Sequence, residues 1–308
     1  MNSVVSSIIT VIQCLQLIIG NVGNGFIALV NIIDWVKERK ISFVDQLLSA
    51  LASCRMCLLW LVLMSKLVFV LCASALWTEL FKMITISWAV SNHFSIWLAT
   101  SLSIFYFLKI ANFSNSTFLY LKWRVEKMVS MTLLVSLAIL FLNIALLNTD
   151  IDVWIAGYRI NMTCNSNYKS SLYLSRAFLV HYMIFTIIPF TVSLTTFLLL
   201  IFSLWRHLRN VQLLAMGPRD ASTKAHLRGL QTAVAFLLFY AVFFLSIVIQ
   251  ALLSELQPEE TTILLCHVLA MTFPSGHSCI LILGNKKLRQ TSLSVLRRLK
   301  HRCKHAKP

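Results

Sequence analysis

Seven long stretches of the chain are almost wholly apolar, and short polar segments separate them. The stretches lie near 7–33, 46–72, 84–108, 128–147, 177–204, 231–253 and 262–283. Each can supply the ~20 apolar residues that a helix needs to cross the hydrocarbon core of a bilayer. The apolar runs are continuous, so they predict helices and not barrel strands, whose apolar residues alternate. The expected fold is an all-α membrane protein, a seven-transmembrane helix bundle forming a single domain over 1–308. The longest connection, 148–176, joins the fourth and fifth spans, and no soluble domain is inserted. Within the tail 284–308 the pattern changes. Leu288, Val295, Leu296 and Leu299 line one helix face, while Lys287, Arg297, Arg298 and Lys300 reach toward headgroups. That predicts a short amphipathic C-terminal helix lying on membrane lipids.

Composition agrees with this picture and removes one alternative. Hydrophobic residues make up 58% of the 308 and charged residues 12%, about half the ~25% charged share of a soluble domain. Lys and Arg number 27 against 11 Asp and Glu, a net charge of +16. Such a balance can signal nucleic acid, but here the basic residues lie between apolar runs. Segments 34–45, 109–127, 205–230 and 284–308 hold 21 of them with five acids, whereas 1–6, 73–83, 148–176 and 254–261 hold four with six acids. The positive-inside rule therefore places the first set in the cytoplasm, with the N-terminus outside and the C-terminus inside. The first span has no basic segment before it and is too long for a cleavable leader, so it is expected to act as its own signal anchor.

Eight cysteines are scattered. Cys14, Cys54, Cys57, Cys266 and Cys279 fall inside spans as small apolar residues. Cys72 and Cys164 both fall toward the outer side, where a bridge between them stays open. Cys303 lies near the inner leaflet, as a free thiol or an acylation site. Asn161-Met162-Thr163 is a glycosylation acceptor in the longest outer loop; the sequons at Asn112 and Asn115 face inward and should stay bare.

Polar residues at membrane depth are costly and mark candidate sites. Arg55 lies in the inner half of span two, and acceptors for it are expected at Asn21 and Asn24 in span one and Ser278 in span seven. The cluster reads as a structural clamp or as a clamp that rearranges. Lys66, near the outer end of span two, can snorkel outward or face a ligand cavity. Trp88 and Asn92 in span three stand four residues apart and share a helix face, with Ala89 close to it. An indole wall beside an orienting amide is the mix that small-molecule pockets use; an interfacial aromatic with helix–helix bonding is the plainer alternative. His93, His181, His267 and His277 sit on four spans. They are expected to be interior hydrogen-bonded or pocket residues without acidic partners. No metal-ligand spacing occurs, so neither metal nor cofactor is expected.

Pro274-Ser275-Gly276-His277 matches the central signature of phosphatidic-acid-type membrane phosphatases. The orienting carboxylate that such a His nucleophile needs is missing, because nothing after Glu260 is acidic, so an enzyme is not expected. A carrier is disfavoured by the odd span number, the absence of repeats and the lack of an acid within the spans.

The rhodopsin-like hallmarks Asp-Arg-Tyr, Asn-Pro-x-x-Tyr and Cys-Trp-x-Pro are absent. Other motifs are present. Span one carries Gly20-Asn21 and Asn24-Gly25-Phe26-Ile27-Ala28-Leu29-Val30-Asn31, and the first inner loop carries Lys40-Ile41-Ser42-Phe43. Leu51-Ala52-Ser53 precedes Arg55. Span three holds Asn92-His93-Phe94 and then Phe105-Tyr106, running into Leu108-Lys109-Ile110-Ala111-Asn112-Phe113-Ser114. Span five holds Pro189-Phe190, and span seven His277-Ser278 followed by Gly284-Asn285-Lys286-Lys287-Leu288. With these motifs the chain resembles the type 2 (bitter) taste receptors over essentially its whole length. The Phe105 to Ser114 block is the most diagnostic.

The resemblance implies a G-protein-coupled receptor of the plasma membrane for small bitter agonists. It would act through a gustducin-type heterotrimer, phospholipase C and calcium. It also implies ligand contacts from Trp88, Ala89, Asn92, His93, Phe243, His267 and Lys66. A switch of Asn24, Arg55, Ser278 and Phe243 follows, with Tyr106, Lys109 and His207 in the G-protein cleft and glycosylation at Asn161. Phe243 stands where relatives often carry Tyr, and His267 where some carry Glu, which suggests neutral or acidic agonists over strong bases. A vomeronasal type 1-like pheromone receptor is the nearest alternative, and a small carrier the alternative from another class.

Overall fold

The computed structural model describes residues 2–71, 76–111, 113–163, 176–214, 221–253 and 260–305. Among these, every regular element is a helix. Seven long helices form the bundle: α1 (Asn2–Glu38), α2 (Phe43–Leu71), α3 (Leu76–Ile110), α5 (Val125–Thr163), α6 (Arg176–Leu214), α7 (Ala221–Leu253) and α8 (Glu260–Gly284). A short α4 (Ser116–Trp123) lies between α3 and α5, and α9 (Lys286–His305) follows α8. Six of the long helices are long and apolar enough to cross a membrane. In α7 the corresponding apolar part is shorter, Val234–Gln250. The order of packing is a ring that closes through α3: α1 lies on α2 and α8, α7 on α6 and α8, and α3 joins α2 to α5 and α6.

Inside a bilayer apolar surface gives helices no reason to prefer one another over lipid, so close packing and polar contacts must hold the bundle. The α1–α8 seam shows both. A Cβ at Gly20 would fall 2.6 Å from Leu59 Cδ1 and 3.3 Å from the Ser275 backbone, and one at Gly23 would fall 2.6 Å from Ser278 Oγ. Only glycine lets the two backbones come so near. Gln16 Nε2 then donates to the Val268 carbonyl and to Thr272 Oγ1, each at 3.1 Å. Asn24 Nδ2 donates to the Pro274 carbonyl at 3.3 Å. Pro189 interrupts α6 in the same way, and its carbonyl accepts from Thr100 on α3 at 3.4 Å. At both prolines the proline's own carbonyl thus accepts a hydrogen bond from a neighbouring helix. The lipid side is apolar, with Leu15, Leu29, Phe141, Leu198 and Leu238 all more than half exposed.

The segment 148–176 does not begin as a loop. α5 continues through it to Thr163, because Leu147 and Ile151 keep helical spacing and pack on Ala89. Asn161 therefore lies on a helix extension; its side chain, like Cys72 and Cys164, lies outside the described residues. Within 109–127, α4 has formed where only a polar connection was expected. Asn115 caps it, its side chain accepting from the Thr117 N–H at 3.0 Å, and Phe118 packs on Phe107 and Phe113. The C-terminal helix is where the tail pattern placed it. Asn285 Oδ1 caps it by accepting from the N–H groups of Lys287 and Leu288, and Leu288 is fully buried while Leu296 is exposed.

Candidate functional site

One residue along a helix is a rotation of ~100°, so neighbours in sequence look toward different helices. On α3 this divides the expected ligand residues in two. Trp88 and Asn92 face α6. Asn92 Nδ2 donates to the Tyr182 hydroxyl, and the Trp88 and Tyr182 rings lie 4.9 Å apart. Ala89 and His93 face α5 instead. Ala89 packs on Leu147 and Ile151, and His93 Nε2 hydrogen-bonds the Ser136 carbonyl at 2.9 Å. The structure thus moves Ala89 and His93 out of the expected pocket and into the α3–α5 contact.

Phe243 on α7 joins the first pair. Its ring meets Tyr182 edge-on at 6.4 Å. It also stacks on Phe273 of α8 at 5.5 Å, and Phe273 stacks on His277 at 5.9 Å. His277 lies 4.9 Å from Phe236. Trp88, Tyr182, Phe243, Phe273, His277 and Phe236 therefore form one unbroken line of rings. It ends at a cavity of about 110 Å³ at the end of the bundle where α8 meets α9, lined among others by Tyr106, Phe236, His277 and Asn285. Of the expected G-protein residues, Tyr106 lines this cavity. Lys109 is exposed at the end of α3 with its ammonium over the Phe105 ring at 5.8 Å. The side chains of His207 and Lys66 lie outside the described residues. His267 is partly buried on α8.

Arg55 is fully buried, and its expected partners are wrong. Nε donates to Ser95 Oγ of α3 at 3.4 Å, and the guanidinium lies 4.9 Å from the centre of the Phe273 ring. Its two terminal nitrogens have no hydrogen-bond partner among the described residues. Asn21 turns back to the Leu17 carbonyl, Asn24 to Gly20 and Pro274, and Ser278 to the Ser275 carbonyl. Depth along the helix was estimated correctly but direction around it was not. Arg55 thus touches the ring line through Phe273, while Asn24 and Ser278 hold the α1–α8 seam.

His181 also departs from expectation. Its Nδ1 lies 3.4 Å from Asp150, and its Nε2 lies 2.7 Å from Asn143 Oδ1. The helical extension of α5 brings Asp150 there. His277, the residue of the phosphatase-like signature, is pressed between Phe236 and Phe273, with no carboxylate against it among the described residues. No group of three or more metal-ligating side chains occurs among the described residues.

Three further residues went unnoticed in the sequence. Tyr182 could have been found as a polar aromatic beside His181. Phe273 carries no signal among 20 phenylalanines. Lys287 looked like one more headgroup contact. Instead its ammonium meets Asp34 at 2.7 Å, Asp45 at 3.1 Å and Asn31 Oδ1 at 3.3 Å, tying α9 to the inner ends of α1 and α2. Partial burial pulls its pKa down, and bonding to Asp34 and Asp45 more than offsets this, leaving it above the usual 10.5.

Comparison with known proteins gives these features a family. The taste receptor protein (TAS2R) family profile matches residues 1–300. Taste receptor type 2 member 14 of Macaca mulatta is 54% identical over 309 aligned positions, covering 100% of this chain and 97% of the relative. The Homo sapiens member 14 is 53% identical with the same coverage. Taste receptor type 2 member 140 of Rattus norvegicus is 53% identical over 282 positions, 91% of this chain and 90% of the relative. A multi-pass helical chain that matches this profile almost end to end belongs to the taste receptor type 2 family of bitter receptors.

Proposed function

We propose that the chain is a plasma-membrane receptor, N-terminus outside and C-terminus inside, glycosylated at Asn161. It binds small bitter compounds from the outer side and couples to a gustducin-type heterotrimer, phospholipase C and calcium. The whole chain acts as one seven-helix domain. The agonist stacks on Trp88, hydrogen-bonds Asn92, and reaches Phe243, His267 and Lys66 around the same vestibule. The inner cavity, with Tyr106 on its wall, faces the G protein, and Lys109 and His207 contact it as well. The observation that carries this reading is the line of rings from Trp88 to His277, which joins the outer cluster to the inner cavity without a gap.

An agonist shifts the balance only by its difference in affinity for two states. Here the ring line can have two packings, with Phe243 the ring nearest both ends and Arg55 resting on Phe273. Asn24 and Ser278 keep the α1–α8 seam fixed while the inner ends of α6 and α7 part. A calcium assay with a chimeric G protein and a panel of bitter compounds tests the proposal. Asn92→Ala should lose potency at unchanged surface expression; equal potency would reject the site. Since His267 is not a carboxylate, strong bases should gain on His267→Glu, and a parent that already prefers them would reject that bias.

A further inference from the structure

The Trp88–Asn92 face is not open in this state. Tyr182 lies on it. Its ring lies against the indole at a tilt of 37°, its hydroxyl accepts from the Asn92 amide, and it meets Phe243 edge to face. Asn92 is 6% exposed and Phe243 4%. A compound that stacks on Trp88 and bonds Asn92 must first take the place of this phenol. The slot therefore has the shape and polarity of what fills it: a flat aryl group with one oxygen at its end, facing an amide donor.

Charge narrows the class further. Among the described residues no acid is found paired with this group; Asp150 and Asp152 are engaged by His181 and Lys82. An ammonium placed at the Tyr182 oxygen would face a donor and no counter-ion, which costs heavily at membrane depth.

We propose that Tyr182 is the specificity-determining residue of the outer site, an internal competitor that selects neutral or anionic aryl compounds bearing an oxygen acceptor. This rests on the reading of Trp88 and Asn92 as the ligand face. Displacing Tyr182 also frees the edge of Phe243, so the same event that admits the ligand perturbs the first link of the ring line.

Three naphthalenes of matched shape form the test: 2-acetylnaphthalene, 2-isopropylnaphthalene and 1-(2-naphthyl)ethylamine. Calcium responses are recorded for the parent, Tyr182→Phe, Tyr182→Leu and Asn92→Ala at matched surface expression. The ketone should be the most potent of the three on the parent. Tyr182→Phe keeps the ring but releases the Asn92 amide, so the ketone should gain about three- to tenfold, the worth of one neutral hydrogen bond, while the hydrocarbon does not change. Tyr182→Leu should raise the response to both uncharged compounds by removing the competing ring, and Asn92→Ala should erase the ketone's advantage.

If Tyr182→Phe leaves the ketone unchanged or weaker while Asn92→Ala still lowers its potency, the site stands and the role of Tyr182 falls. If Asn92→Ala has no effect either, the site itself falls. A parent and Tyr182→Phe that both ignore the ketone, or that answer the amine as well, overturn the ligand class.

Discussion

Replacing Lys287 with Met should loosen the inner face of the bundle by a predictable amount. At 4 Å two unit charges attract by about 4 kcal/mol at an effective dielectric of 20. The side chains of Lys287 and Asp34 are each 35% exposed and that of Asp45 17%, so water screens most of this. Partly exposed pairs are worth about 1 kcal/mol or less each. The bond to Asn31 adds about 1 kcal/mol. Removing the ammonium also leaves Asp34 and Asp45 facing each other. The total is about 2 kcal/mol, which for a chain of this size corresponds to a fall of about 4 °C in Tm.

A thiol-reactive dye that reports exposure of the span cysteines gives the melting curve of purified receptor. Raising salt to 1 M shortens the screening length to about 3 Å and should reduce the ion-pair part of the difference, while the part from the Asn31 bond remains. The pH dependence has a definite sign. Because the folded pKa of Lys287 is raised above 10.5, its contribution is complete below 10.5 and is lost only as pH climbs through the folded value. The parent and variant curves should therefore run parallel from pH 6 to 9. A Tm difference under 1 °C, or one that titrates between pH 6 and 9, refutes the latch. Asp34→Lys with Lys287→Asp restores opposite charges and should recover part of the loss. Since Asn285, two residues before Lys287, lines the inner cavity, calcium responses to every agonist should weaken together, without a change in rank order.

Other perturbations separate packing from recognition. Gly20→Val should lower Tm by several degrees, about 1–3 kcal/mol of overpacking, whereas Gly25→Ala should be neutral because its nearest neighbour, Met56 Sδ, is 3.9 Å away; equal effects would refute the close-approach account of the seam. His93→Ala removes one hydrogen bond between α3 and α5 while the Ser136 carbonyl keeps its helical partner, at a cost of about 0.5–1.5 kcal/mol in stability, and should preserve agonist selectivity, so an altered rank order would return His93 to the ligand face. Arg55→Met should keep or raise Tm, since an unsatisfied buried charge is often better replaced by an apolar chain, while lowering the response to all agonists; a fall above 5 °C would show that Arg55 is mainly a clamp.

Hydropathy and charge disclosed what depends on depth. Seven long helices, the amphipathic helix at the tail and the buried position of Arg55 all follow from which residues are apolar and for how long, and each is found at the expected place. What depends on rotation was out of reach. Asn92 and His93 are adjacent and equally polar, and nothing local tells which looks toward α6 and which toward α5. The choice is made by Tyr182 and Ser136, 90 and 43 residues away in the chain. Arg55 was given three acceptors at the right level, and the helix turned it to Ser95 instead. Lys287 and Asp34 are separated by almost the whole length of the protein. Ring contacts were the least visible, because a buried Phe looks the same in sequence whether it faces lipid or another ring. Yet those contacts connect the outer face to the inner one. A bundle whose stability comes from glycine seams and polar caps can keep its helices in place while one row of flat side chains repacks among them. In such a fold the residues that carry a signal need no polarity or motif of their own, only a place in the row.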